Sequence, residues 1–291
     1  MSTTQQPARP RVVVGVDGSP GSNAALAWAA STAEALGADL LAVRAYPTAE
    51  FGEGFEDLTE YANAEVNKQL TEVLGTAGAS KVSQVIDSDD AHNALVEHCG
   101  GAELLVVGRH GHSRVAHLGL GSTAEDVIRH APCPVVVVRE DPDIKPGPEA
   151  GRVVIAVGVT RHSQSTLGFG FHMASATGQP LTVLHAWHTS FWHAPGKAAP
   201  HVDPDRMFEE EERKRFTEAV ADWATKYPNV EVRQAAVPGD VVPTVLAASA
   251  GAHLLVVGGH RRKLPGSLSL GAVAHAAVHQ GHCPAAVVAQ T

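Results

Sequence analysis

Aromatic side chains are scarce in this chain: seven Phe, four Trp and three Tyr make up 5% of its 291 residues. Any core must therefore be aliphatic, drawn from the 44% of residues that are hydrophobic. Cysteine is rarer still. Cys99, Cys133 and Cys283 follow no framework spacing, which excludes a disulfide-stapled secreted fold and predicts reduced, intracellular thiols. No run approaches the roughly 20 apolar residues that span a bilayer. The opening MSTTQQPARP lacks the apolar stretch of a secretory leader. A cytoplasmic protein without a membrane partner is expected. Positive charge is also in short supply, with 22 Lys and Arg against 31 Asp and Glu and a net charge of −9. That argues against nucleic acid as a partner. Nucleophile signatures are missing: there is no G-x-S-x-G elbow and no Cys with an assigned His partner. No residue stands out as a base that would position water. Binding is expected ahead of catalysis.

What the chain does have is repetition. RVVVGVDGSPGSNAALAWAASTAEALGADLLAVRAY, from Arg11, aligns without a gap to RVVIAVGVTRHSQSTLGFGFHMASATGQPLTVLHAW, from Arg152, an offset of 141 residues. AELLVVGRHG, from Ala102, matches AHLLVVGGHR, from Ala252, at an offset of 150. An enlarged loop around FWHAPGKAAPHVDP accounts for the difference. One domain is used twice. The expected domains are 9–140 and 152–291, joined by a Pro-, Gly- and acid-rich linker at 141–151.

In the first half, short apolar strands alternate with helices. Strands are predicted at 12–16, 40–43, 82–86, 104–107 and 135–138, and helices from Pro20 to a stop at Gly37 and at 56–74, 91–99 and 123–130. Ser19 before Pro20 reads as a helix cap followed by proline in the first turn. Strands that are apolar throughout imply a parallel sheet covered on both faces. In the second half Phe208, Phe216, Val220, Trp223 and Tyr227 fall on one helical face ahead of Pro228.

The chain then leaves its fourth strand at Gly108, crosses a basic, His-rich loop, and begins a helix near Gly121-Ser122-Thr123. In an open parallel sheet, ligands sit beyond the C-terminal strand ends. A helix start offers unpaired N–H groups and partial positive charge, which suits phosphate. Glycine admits close approach of the oxygens, Ser122 and Thr123 add hydroxyl donors, and Arg109, His110, His112 and Arg114 add positive potential. The loop histidines would make such a site pH-sensitive. No Lys precedes Ser122, so this is not a Walker A loop. The match of Gly119-Leu120-Gly121-Ser122-Thr123-Ala124 to a dinucleotide fingerprint fails because no first strand directly precedes it.

The spacing of Gly108, Gly111, Gly121 and Ser122 is similar to the G-x2-G-x9-G-[ST] motif of the universal stress protein family, ATP-binding branch. Val16-Asp17-Gly18-Ser19 resembles that family's strand-end Asp, LLAVRAY its base-contacting strand, and APCPVVVV its last strand. The resemblance covers both halves, as in a tandem member. It implies two Rossmann-like (adenine nucleotide α-hydrolase-like) α/β domains, each a five-stranded parallel sheet of order 3-2-1-4-5 with helices on both faces. It implies ATP, accompanied by Mg2+, with the phosphates on Gly108, Gly111, Gly121, Ser122 and Thr123. Asp17, with Gly18 and Ser19 beside it, would serve the base and ribose end, and the Ala45 backbone would lie near adenine. Arg109 joins the set on charge alone. The resemblance further implies a nucleotide-dependent sensor or regulator in stress response. A slow ATPase, or a partner-binding scaffold with a vestigial site, stand as alternatives. ATP, a homodimer mate and an unidentified protein are the expected partners.

The second half departs from the pattern. Asp17 becomes Gly158, Gly111 becomes Arg261, and Ser122 and Thr123 become Ala272 and Val273. Gly108 and Gly121 persist as Gly258 and Gly271. Several polar contacts, at about 0.5–1.5 kcal/mol each, account for most of a micromolar affinity, so the second half is expected to bind ATP poorly. Arg261-Arg262-Lys263 reads as a solvated loop. Neither His110, His112 and His117 nor His275, His279 and His282 has ligand spacing for a metal. Cys99 and Cys133 read as small buried hydrophobes.

Overall fold

The computed structural model describes residues 9–46, 55–112, 119–140, 145–158, 163–187, 204–261 and 268–290. The chain divides into two compact units, one from each half.

In the first unit, β1 (Arg11–Gly15), β2 (Asp39–Ala45), β3 (Val82–Asp87), β4 (Leu104–Gly108) and β5 (Val135–Val138) alternate with α1 (Pro20–Leu36), α2 (Phe55–Ala79), α3 (Ala91–His98) and α4 (Ser122–His130). The strands run parallel in the order β3-β2-β1-β4-β5. Val12, Val13 and Val14 pair with Leu104, Leu105 and Val106, and all six are essentially inaccessible to solvent. A strand buried on both faces cannot alternate polar and apolar residues, which is why these runs are continuously aliphatic. Helices cover both faces of the sheet, as expected.

α1 shows how local chemistry sets an element. Ser19 is its N-cap and accepts a hydrogen bond from the Ser22 N–H at 3.1 Å. Pro20 occupies the first turn, and Gly37 closes the helix with φ 61°. The predicted end of α2 at Leu74 falls where Gly75 breaks the helix with φ 70°, after which the chain resumes to Ala79.

The second unit repeats the plan with β6 (Val153–Ala156), α5 (Gln164–Thr177), β7 (Leu181–Trp187), α6 (Pro204–Lys226), β8 (Val232–Pro238), α7 (Val241–Ala248), β9 (Leu254–Arg261), the two-residue β10 (Leu268–Ser269), α8 (Ala272–Gln280) and β11 (Ala285–Gln290). Its parallel order is β8-β7-β6-β9-β11, again 3-2-1-4-5. Part of the expected linker belongs to this unit. Gly147 donates its N–H to the Ala250 carbonyl at 2.8 Å. Glu149, 5% exposed, accepts from the Thr182 hydroxyl at 2.5 Å and faces the Arg233 guanidinium at 3.2 Å.

The apolar face expected of α6 is correct for its second half only. Phe216 and Val220 are buried, and Phe171 of α5 meets the rings of Trp223 and Tyr227 at 6.3 and 5.8 Å. Phe208 is 49% exposed. It sits two turns upstream of Phe216.

Candidate functional site

A cavity of about 290 Å3 opens at the C-terminal ends of β1, β2 and β4 in the first unit. Asp17, Ala45, Gly108, Arg109, Gly111, Gly121, Ser122 and Thr123 all line it. Residues from three separate stretches of sequence thus meet in one place. Each lies at or just past a strand end or in the first turn of α4.

α4 supplies the donor end. Its N-cap is Gly121, and no side chain caps the helix. The first-turn N–H groups therefore face the cavity rim together with the Ser122 and Thr123 hydroxyls, an anion-receptive arrangement. The N–H of Gly121 itself bonds the Arg109 carbonyl at 2.9 Å, which folds the glycine loop back onto the strand end.

Gly108 and Gly111 are glycine for reasons of packing. A Cβ at Gly108 would lie 2.6 Å from the Gly21 carbonyl carbon, in the first turn of α1. A Cβ at Gly111 would lie 2.5 Å from Asp17 Oδ2. The first absence lets α1 press against β4. The second lets the loop pass over the Asp17 carboxylate. Asp17 Oδ1 accepts the Ser19 N–H at 2.9 Å, so one oxygen shapes the turn and the other faces the loop. The His112 ring bonds the Asp17 carbonyl at 2.8 Å.

Gly18 and Ser19 stand outside the cavity lining. Gly18 has φ 84°, a backbone conformation glycine adopts without strain. Ser19 is 2% exposed and its hydroxyl oxygen caps α1. Both act by shaping the turn that holds Asp17. Arg109 lines the cavity, and burial, then the like charge of Arg139, hold its guanidinium below the ordinary value. Arg114 and His117 lie outside the described residues.

The lining residues that escaped the sequence reading include Arg44, Ala91 and Leu95. Arg44 sits over the Tyr46 ring at 4.9 Å and donates to its hydroxyl at 3.3 Å. It is a cation held at the β2 end of the cavity. Its position beside Ala45 at the end of β2 was the available signal. Ala91 and Leu95, at helical spacing on α3, form an apolar floor.

The equivalent cavity of the second unit, about 250 Å3, has a different character. Val241 and Val245 replace Ala91 and Leu95, and Ala272 and Val273 replace the two hydroxyl residues. No carboxylate or guanidinium lines it among the described residues. His185, at the position of Arg44, turns away and is held by the Val157 carbonyl at 3.0 Å and the Glu212 carboxylate at 3.1 Å. Most telling is the backbone. β4 ends at Gly108, but β9 runs on through Gly259, His260 and Arg261, pairing Gly258, Gly259 and His260 with Val288, Ala289 and Gln290. The Gln290 carboxamide fills the space a Cβ at Gly258 would take. Where the first unit has a folded-back loop, the second has more sheet. The Arg261 side chain, Arg262 and Lys263 lie outside the described residues. Among the described residues no three potential metal ligands gather; His275 and His279 stack at 4.0 Å as a pair. No described helix is long and apolar enough to cross a membrane.

The model of the universal stress protein family matches residues 9–139 and again 149–289. The chain belongs to the universal stress protein family. It is similar to universal stress protein Rv2005c of Mycobacterium tuberculosis, with 29% identity over 96% of this chain and 97% of that one. Universal stress protein Rv2623 of the same organism is 28% identical, over 96% of each chain. Among solved structures, a universal stress protein from Archaeoglobus fulgidus superposes with a TM-score of 0.70 at 15% identity, covering 97% of this chain and 98% of that one. A tandem universal stress protein fold thus runs through both halves.

Proposed function

We propose that the first unit binds ATP and that the protein acts as a nucleotide-dependent sensor or regulator. The observation that carries this reading is the convergence, around one 290 Å3 cavity, of an uncapped helix start bearing two hydroxyls, two guanidinium groups and a strand-end carboxylate. The α4 start and Gly121-Ser122-Thr123 would take the phosphates, with Arg44 and Arg109 adding positive potential. Asp17 Oδ2 and the backbone at Ala45 would serve the ribose and base, over the floor of Ala91 and Leu95. Mg2+ fits only as a companion of the phosphates. Among the described residues Asp17 is the single carboxylate lining the cavity, and Mg2+ keeps its waters when one carboxylate joins phosphate oxygens. The ion would neutralise phosphate charge. Reading the second unit as a non-binder is supported by the strand continuation past Gly258 and by the loss of both hydroxyls.

Nucleotide stoichiometry tests this. Ligand released from denatured protein is identified by mass spectrometry, and stripped protein is titrated calorimetrically with ATP and Mg2+. One ATP per chain, bound more weakly in Ser122→Ala/Thr123→Val, is the expected result. Two per chain overturn the asymmetry. None at millimolar ATP overturns nucleotide binding and leaves a partner-binding scaffold.

A further inference from the structure

The nucleotide reading makes no use of the cysteines, yet two of them meet. Cys99 caps the C-terminal end of α3 and is fully buried, with its Sγ 3.4 Å from the Val96 carbonyl oxygen. Cys133 lies between the end of α4 and the start of β5, and its thiol is hydrogen-bonded to that of Cys99. The second unit shows independently that the fold brings these two positions together. Ser249 stands where Cys99 does, and its hydroxyl oxygen accepts the N–H of His282 at 2.9 Å, next to Cys283, which stands where Cys133 does. The abutment is therefore built into both units, but only the first carries sulfur on both sides.

The surroundings favour chemistry at Cys99. The hydrogen bond from Cys133 holds the Cys99 thiol below its ordinary value against the opposing effect of burial, and the nearby charge of Arg11 adds a smaller lowering. Arg11 is fixed there, donating to the carbonyls of His98 and Gly100 at 3.0 and 3.1 Å, on either side of Cys99. Donating that hydrogen bond, together with burial, pushes the Cys133 thiol up. A thiolate is the reactive form of cysteine, and a neighbouring thiol condenses with a sulfenic acid to a disulfide.

We propose that Cys99 and Cys133 form a reversible intramolecular disulfide when the protein meets a hydroperoxide. The Cys99 thiolate attacks one oxygen of hydrogen peroxide. The O–O bond breaks, and hydroxide leaves and is protonated to water, giving a sulfenic acid. The Cys133 sulfur, surrendering its proton, then attacks Cys99 Sγ, and the S–O bond breaks with loss of a second water. Two thiols lose two electrons and two protons, and the peroxide is reduced to two waters. A dithiol reverses the reaction by exchange.

The bond would enclose β4, the glycine loop and α4 in one covalent ring and tie α3 to α4. α3 carries the apolar floor of the first cavity and α4 its donor end. Any effect on ATP rests on the proposed function; the disulfide itself does not.

The full chain is treated with hydrogen peroxide, denatured, alkylated and weighed intact without reductant. The expected product has lost two hydrogens, retains one alkylatable cysteine, and yields a linked peptide joining Cys99 to Cys133. Dithiothreitol restores all three thiols. Cys99→Ser, which copies Ser249, abolishes the linkage, and Cys133→Ser leaves a trappable sulfenic acid on Cys99. Ser249→Cys, placed opposite Cys283, gains a second linkage under the same treatment. Three alkylatable thiols after excess peroxide, oxygen addition without a link, or bonds only between chains would overturn the proposal. ATP titration of the oxidised and reduced forms is a separate readout, so a flat result there leaves the disulfide standing.

Discussion

Gly108→Ala and Gly258→Ala are the same chemical change at matching positions, and the structure gives them different outcomes. At Gly108 the new Cβ meets the Gly21 carbonyl carbon at 2.6 Å and the Gly21 oxygen at 2.7 Å. Both are backbone atoms in the first turn of α1, fixed by the Ser19 cap, so no rotamer change relieves them. Ordinary contact begins near 3.4 Å, and the helix must move by roughly the difference. Forcing a methyl into a packed site costs about 1–3 kcal/mol. A middle value of about 2 kcal/mol corresponds to roughly 4–8 °C in Tm for a unit of this size. At Gly258 the obstacle is the Gln290 carboxamide, the far end of a side chain that can take another rotamer at under about 1 kcal/mol. Hydrogen exchange read by mass spectrometry reports each unit separately. Faster exchange is expected in α1 for the first variant and little change anywhere for the second. Equal destabilisation by the two substitutions would refute the packing argument, as would a fully stable Gly108→Ala.

Converting Ser122-Thr123 to Ala-Val, the pair found at 272–273, is expected to weaken ATP binding by about 2- to 12-fold per hydroxyl, since each contributes about 0.5–1.5 kcal/mol; calorimetric titration checks it. Phe171→Ala removes a buried ring packed on Trp223 and Tyr227 and is expected to cost about 3–5 kcal/mol, read by chemical denaturation, with a shift in tryptophan emission. Burial lowers the His253 imidazole below its ordinary 6.5. Its neutral form stabilises the second unit above that pH, and the contribution is lost as pH falls through the lowered folded value. His253→Leu is therefore expected to flatten the acid limb of that unit's stability, measured by thermal melts from pH 4.5 to 8.

Much of the fold could be read from the chain. Alternating aliphatic runs and capped helices located every element of the first unit, because strands such as Val12–Val14 and a cap such as Ser19 depend on local chemistry. The cavity was legible wherever the motif itself marked residues. Arg44, Ala91 and Leu95 were not marked, since their place depends on parallel register and helix packing across distant segments. Ser19 was legible as the cap of α1, and its hydroxyl does cap that helix, because capping depends on neighbours in sequence. Phe208 followed helical periodicity but is half-exposed, which periodicity does not reveal. The continuation of β9 past Gly258 was also hidden. Its glycines match those of the first unit, while the strand is set by pairing with β11, some 30 residues later. The meeting of Cys99 and Cys133 is long-range in the same way.

The extra length of β9 bears on how a second nucleotide site could be restored. Replacing Gly158, Ala272 and Val273 by the residues of the first unit would return the polar groups but leave the backbone hydrogen-bonded to β11 where a loop must turn. Each added ladder bond holds the chain in an extended strand where the first unit has its glycine loop. Point substitution alone will therefore fail, and a graft of the whole segment from Gly108 to Thr123 is the smallest change that could succeed. On the proposed asymmetry, the difference between the two units is recorded in the path of the main chain as well as in its side chains.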